Sequence, residues 1–280
     1  MDEVGKGRLS FLRSLHTKKG REASGQTIIE GVRLVEEALA AKVAPALLLY
    51  TPRLLRFERG ERLLQAAREL GSAVYTVTED TMAKAATTET PQGVLAVIPS
   101  PGVPAAGLLA QERPFLLAVD RLQDPGNLGT MLRTAAAAGA TGVLLGHGTV
   151  EAANPKVLRS AMGATFRLPL AEEVDLPSAL RELAARGVTV AAGDPEGDTP
   201  LFTAELRVPV VVVVGGEAEG LTDGVAAVVT HRVVIPMATG VESLNAAVAA
   251  GLLLYEVTRR LGFGATLSAG KSACYNRADN

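Results

Sequence analysis

The sequence predicts an α/β protein in which a parallel sheet covered on both faces follows a smaller α/β unit. Three observations support this. From residue 115 onward, short runs of Val, Leu, Ile and Ala alternate with helical segments that close on glycine, as strands buried on both faces require. The length, 280 residues, exceeds one minimal domain and suits two. The stretch PSPGVPAAG at 99–107 is rich in Pro and Gly and carries no charge, which marks a linker. On this basis residues 1–105 form the small unit, 106–265 the larger one, and 266–280 a disordered tail.

The elements follow in order. Ile28, Val32, Val35, Leu39 and Val43 form a helical stripe over 27–43. Residues 46–51 read as a buried strand, and 61–70 as a helix ended by Gly71. Strand-like segments occupy 73–77 and 93–98. Past the linker, strand 115–119 leads through a loop at 120–129 into a helix at 130–138. A strand at 142–145, a short helix near 154–163, a strand at 165–170 and an amphipathic helix at 176–187 come next. Strands at 188–193 and 210–214, a short helix near 221–229, a strand at 232–237 and a helix at 243–260 complete the chain. That last helix is apolar almost throughout, yet its first turn brings Glu242, Ser243 and Asn245; Ser243 is the expected N-cap.

Composition narrows the function. The net charge is −2, but Lys6 to Arg21 holds six basic residues and no acidic one. This run, which ends in Lys18, Lys19 and Arg21, is either a solvated terminus or a set of candidate nucleic-acid contacts, with the arginines at 53, 56, 59 and 62 as a second basic set. Cys274 is the only cysteine, so an internal disulfide and a cysteine-rich zinc site are excluded. His16, His147 and His231 follow no ligand spacing, and no metal is expected. The apolar run at 208–216 is too short to span a bilayer. With no signal-peptide pattern at the N-terminus, a soluble cytoplasmic protein is expected.

Three strand-ends carry unusual loops, and ligands of open parallel sheets bind at such ends. The first, DPGNLGTMLR at 124–133, brings Asn127 and Arg133. The second, VGGEAEGLT at 214–222, has glycines at 215, 216 and 220 together with Glu217, and fits neither a P-loop nor a dinucleotide fingerprint. The third, IPMATGVESLN at 235–245, brings Ser243 and Asn245.

Together, 126-GNLGTMLRTAAAAGA-140, 215-GGEAEGL-221, and 235-IPM with 243-SLNAAVA-249 resemble the three motifs of the SpoU-type (TrmH-like) RNA ribose 2′-O-methyltransferases of the SPOUT class. More loosely, 29-IEGVRLVEEAL-39 resembles the start of the RNA-binding domain found in the ribosomal RNA branch. The resemblance implies a SPOUT domain with a trefoil knot, S-adenosylmethionine as methyl donor and a homodimer. It places Gly215, Gly216, Ile235, Met237 and Leu244 along the cofactor. It marks Arg133 as catalytic, with Asn127, Glu217, Ser243 and Asn245 completing a polar ring. A guanidinium is effectively always charged, so Arg133 is better suited to gripping a phosphate or stabilising an alkoxide than to acting as a base. The implied substrate is large-subunit ribosomal RNA. The alternatives are tRNA, or a non-catalytic RNA-binding or ribosome-assembly protein.

Overall fold

A computed structural model describes residues 5–216 and 220–262. The expected tail at 266–280 and Glu217 lie outside the described residues.

The N-terminal elements are α1 (Lys6–Ser14), α2 (Lys18–Ser24), β1 (Gln26–Glu30), α3 (Val32–Ala40), β2 (Leu47–Tyr50), a 3-10 turn (Pro52–Arg56), α4 (Glu58–Glu69), β3 (Ala73–Thr76), α5 (Glu79–Ala85) and β4 (Val94–Pro99). They form a four-stranded sheet of order β1-β4-β2-β3. β4 runs antiparallel to β1 and β2, and β3 parallel to β2. The helical stripe expected over 27–43 is therefore two elements. Gly31, at φ 96°, breaks the chain between them. The four residues before it pair with β4, and burial on both faces of that strand outweighs its helical spacing.

The second sheet is built from α6 (Ala105–Leu109), β5 (Phe115–Asp120), α7 (Pro125–Ala138), β6 (Gly142–Gly146), α8 (Pro155–Ala161), β7 (Leu170–Val174), α9 (Leu176–Ala185), β8 (Thr189–Gly193), β9 (Thr199–Pro200), β10 (Val210–Gly215), α10 (Asp223–Ala226), β11 (His231–Val234) and α11 (Ala246–Leu261). Its seven strands lie in the order β7-β6-β5-β10-β8-β11-β9, and every pairing is parallel. One face packs under α7, α8 and α11, the other under α6, α9 and α10. The strand expected at 165–170 begins only at Leu170. Thr165 and Phe166 lie in a 3-10 turn, and Pro169 has no N–H for a ladder, though its carbonyl accepts from Val143 N.

Two helix starts differ from expectation, and both matter for the site. α7 begins at Pro125, because Asp124 caps it by accepting from Asn127 N at 2.7 Å and proline suits the first helical position. Asn127 is therefore a first-turn residue, not a loop residue. α11 begins at Ala246, and its cap is Asn245, not Ser243: Asn245 Oδ1 accepts from Ala247 N at 2.9 Å and Val248 N at 3.3 Å.

The two sheets meet along a packed seam. Leu158 of α8 is fully buried within the core of the first sheet, beside Ile29, Val35 and Ala38. Thr27 Oγ1 donates to Ala153 O at 2.6 Å, and Arg159 Nη1 to Thr87 Oγ1 at 2.9 Å. Arg167 pairs with Glu37. Arg21 also belongs to this seam, contrary to its expected contact with RNA. Its side chain is buried, donates to Leu15 O at 2.7 Å, and forms an ion pair with Glu151. A buried guanidinium held this way has no face left for a phosphate. Lys18 lies near Glu22 (3.7 Å) and Glu173 (3.8 Å), which partly neutralise it, while Lys19 is exposed.

Candidate active site

The carboxyl ends of β8, β10 and β11 open onto a cavity of about 500 Å³, a size suited to a nucleoside-scale ligand. Its walls bring together all five residues expected along a cofactor: Gly215, Gly216, Ile235, Met237 and Leu244. Ser243 and Asn245 line it as well.

The glycines are required by close packing of backbone on backbone. A Cβ on Gly215 would sit 2.3 Å from the carbonyl of Gly220, and one on Gly216 would sit 2.9 Å from Arg121 O. Larger residues would force the loop apart, so peptide groups border the cavity here. Behind them lies a joint that sequence reasoning missed. Asp120, at the end of β5 and directly opposite Gly215 in register, is 4% exposed. Its Oδ2 accepts from Thr222 N at 2.8 Å and Thr222 Oγ1 at 2.9 Å, fixing the far side of the glycine loop. The available signal was an acidic residue closing an otherwise apolar strand.

Asp194 is the one ionisable side chain on the cavity wall among the described residues, and it is already engaged. Arg232 Nε donates to it at 2.6 Å, as does Glu196 N at 2.8 Å. The remaining wall is peptide, hydroxyl, amide and hydrocarbon. That donor set fits the adenosine portion of S-adenosylmethionine, which is recognised through hydrogen bonds and apolar contact without a countercharge.

At one side of the cavity the two functional helices meet. Asn245 Nδ2 donates to Asn127 Oδ1 at 3.0 Å, joining the start of α11 to the start of α7. At the other end Thr258 Oγ1 of α11 donates to Ala138 O of α7 at 2.8 Å. The helices therefore run parallel. Both positive dipole ends converge on the Asn127–Asn245 pair. Arg133 lies six residues after Asn127, about 9 Å further along the helix axis. It is exposed and makes no hydrogen bond or ion pair among the described residues.

Residues 7–96 match the MRM3-like substrate binding domain. A Bacillus subtilis 23S rRNA (guanosine(2553)-2′-O)-methyltransferase, RlmP, is 42% identical over 178 residues, covering 64% of this chain and 66% of the relative, just under two thirds of its length. An AdoMet-bound rRNA methyltransferase from Sinorhizobium meliloti superposes with a TM-score of 0.81 at 30% identity, covering 93% of this chain and 97% of the other. The SpoU methyltransferase AviRb from Streptomyces viridochromogenes, in complex with AdoMet, gives 0.83 at 26% identity, covering 92% and 98%. The three loops around the cavity fall inside residues 114–255, which match the SpoU rRNA Methylase family, and the chain, with its SPOUT-class catalytic fold, belongs to that family.

Proposed function

We propose that this protein is an S-adenosylmethionine-dependent RNA methyltransferase that modifies a ribose 2′-hydroxyl of large-subunit ribosomal RNA. The observation that carries the proposal is the Asn127–Asn245 bridge at the rim of a cavity lined by all five expected cofactor residues. When bound, S-adenosylmethionine supplies an electrophilic methyl group on a sulfonium. The chain's part would be to hold the RNA 2′-oxygen in line with that methyl while water takes up the hydroxyl proton. Much of the rate acceleration comes from this positioning.

The chain's own groups divide the work. The peptide groups around Gly215 and Gly216 and the apolar walls of Ile235, Met237 and Leu244 hold the donor. Asn127 and Asn245 fix the rim, and Ser243 faces the same space. Arg133 stabilises the developing alkoxide or grips the adjoining phosphate by charge-assisted hydrogen bonds. The two helix N-termini bias the same region toward negative charge. No step needs a metal. Residues 1–105 serve substrate binding and 106–265 catalysis, and the SPOUT fold is carried through to a trefoil knot in the chain around α11.

The test is Arg133→Ala, assayed for methyl transfer to ribosomal RNA with 2′-O-methyl mapping and for S-adenosylmethionine binding by calorimetry. Loss of a single alkoxide-stabilising donor lowers turnover by roughly 10²–10³-fold, with cofactor affinity retained. A variant that methylates at the wild-type rate sinks the assignment.

The active form is a homodimer working in the cytoplasm. Val248, Leu252 and Tyr255 form an apolar stripe on α11 that is 52%, 38% and 42% exposed in the single chain. A stripe at this spacing calls for a cover, and a second copy supplies it. Light scattering should report a dimer in dilute solution and dissociation on Leu252→Glu; a monodisperse, active monomer refutes this.

A further inference from the structure

We propose that the turn at 53–57 grips an unpaired nucleotide of the RNA substrate, with Phe57 stacking on the base and Arg53 and Arg56 holding the adjoining phosphates. The proposal rests on the reading of this chain as an RNA-modifying enzyme and assigns where the first sheet takes hold of that RNA.

The turn is built to be rigid. Pro52 opens it, Leu54 at its centre is buried, and Thr51 before it is fully buried. α4 lies hard against it: a Cβ on Gly60 would sit 2.1 Å from Leu54 O. Yet this anchored segment presents Phe57 at 67% exposure and Leu55 at 42%. An aromatic carried into water on an anchored backbone contributes little to the core, and its ring face is open to a planar partner.

Charge separates this segment from the rest of its arginine series. Arg59 is paired with Glu36 and Arg62 with Glu58. Arg53 and Arg56 are exposed and make no hydrogen bond or ion pair among the described residues. Two unneutralised guanidiniums on the same turn as an exposed ring match a polyanion whose bases are splayed out. Ring stacking needs a free base face, which favours single-stranded or bulged RNA over a duplex.

The placement is also suitable. β1 and β2 both end, and β4 begins, at one end of the small sheet, so the turn shares that end with the 87–93 loop. Glu30 accepts from Thr87 N at 3.0 Å there, and Arg159 of α8 ties Thr87 to the second sheet. α8 packs directly on α7, the helix of Asn127 and Arg133; a Cβ on Gly129 would sit 2.4 Å from Ser160 Cβ. The turn is therefore held in a fixed relation to the cavity.

The experiment uses the full chain and a 23S ribosomal RNA transcript, with filter binding across a salt series and methyl-transfer kinetics. Phe57→Ala should weaken binding roughly 5- to 150-fold, the range for one lost stacked base, with the loss appearing in KM for RNA. Phe57→Trp should bind at least as well as wild type. Arg53→Ala with Arg56→Ala should lower the salt slope by about two, one per lost phosphate contact, whereas Phe57→Ala leaves the slope in place. S-adenosylmethionine affinity and thermal midpoint serve as controls and should not move. Wild-type methylation with both variants binding normally overturns this surface while leaving the enzymatic reading intact. Normal binding to the free transcript with weakened binding to a ribosomal particle also overturns it, because the turn would then face a protein. If wild type transfers no methyl but the variants lose RNA affinity as expected, the enzymatic reading fails and this surface stands.

Discussion

The seam between the two sheets and the rim of the cavity draw on the same side-chain types and use them in opposite ways. At the seam, Arg21 is buried against Glu151, Arg167 is paired with Glu37, and Arg159 is bonded to Thr87. At the rim, two neutral amides bond to one another, and about 9 Å further along α7 Arg133 is exposed without a hydrogen bond or ion pair among the described residues. The seam engages each of these arginines with a partner across it and so fixes two units in place. α7 leaves its one arginine without a partner among the described residues, as the proposed role of stabilising charge that appears only during reaction requires. A count of basic residues along the chain is therefore a poor guide to RNA contacts; what matters is which cations the fold leaves without a partner.

The contrast can be broken most severely at Arg21. Arg21→Ala should leave Glu151 buried without its cation and cost about 3–5 kcal/mol of stability, measured by denaturant unfolding. Replacing both partners with methionine should recover much of that loss. If Arg21→Ala unfolds like wild type but binds RNA weakly, the residue is a phosphate ligand and the division between seam and rim is mistaken.

At the rim, Asn245→Ala should cost about 0.5–2 kcal/mol through loss of the α11 cap, along with methyl transfer. Asn245→Asp separates the two roles: its carboxylate still accepts from Ala247 N and Val248 N but cannot donate to Asn127. Near-wild-type stability with depressed activity is expected. Full activity in the aspartate variant would show that the amide bridge is dispensable.

A third test lies at a carboxyl beside the seam. Burial pushes Glu172 up from 4.5 to about 7, opposed by its bond from Ala152 N, reinforced by Glu151 and Glu173, and eased by Lys18. The folded protein therefore retains a proton that the unfolded chain has released. Stability should fall as pH rises from about 4.5 to about 7 and remain lower above that. Glu172→Gln keeps the acceptor for Ala152 N and removes the titration, so the variant should be the more stable protein above pH 7. An unchanged pH slope in chemical denaturation would rule this out.

How much of this was legible in the sequence depended on the range of the interaction. The alternation of strands and helices is local, and the parallel sheet follows it closely. The loops were legible because glycines and polar residues interrupt apolar strand-ends, whereas the grouping of Gly215, Gly216, Ile235, Met237 and Leu244 came from the family resemblance. The α11 cap was not: Ser243 and Asn245 are both competent, and the choice is made by Asn127, 118 positions away. The fate of Arg21 depended on Glu151, 130 positions away, so a basic run that resembled an RNA-binding arm became part of a joint. β1 was hidden for a similar reason, since its pairing with β4 lies far along the chain. Asp120 carried a faint local signal, but its partner Thr222 lies 102 residues on.

Leu158 carries a consequence for the order of events during synthesis. It lies well past the linker, yet it fills the core of the first sheet. Domains generally fold as units while the chain emerges, N-terminal first. Here the first core is left with a hole until α8 has been made, and α8 has no firm seat until α7 is beneath it. The nascent N-terminal unit must therefore wait, incompletely closed, while some sixty further residues are translated. Its completion and the start of the catalytic domain become a single cooperative step.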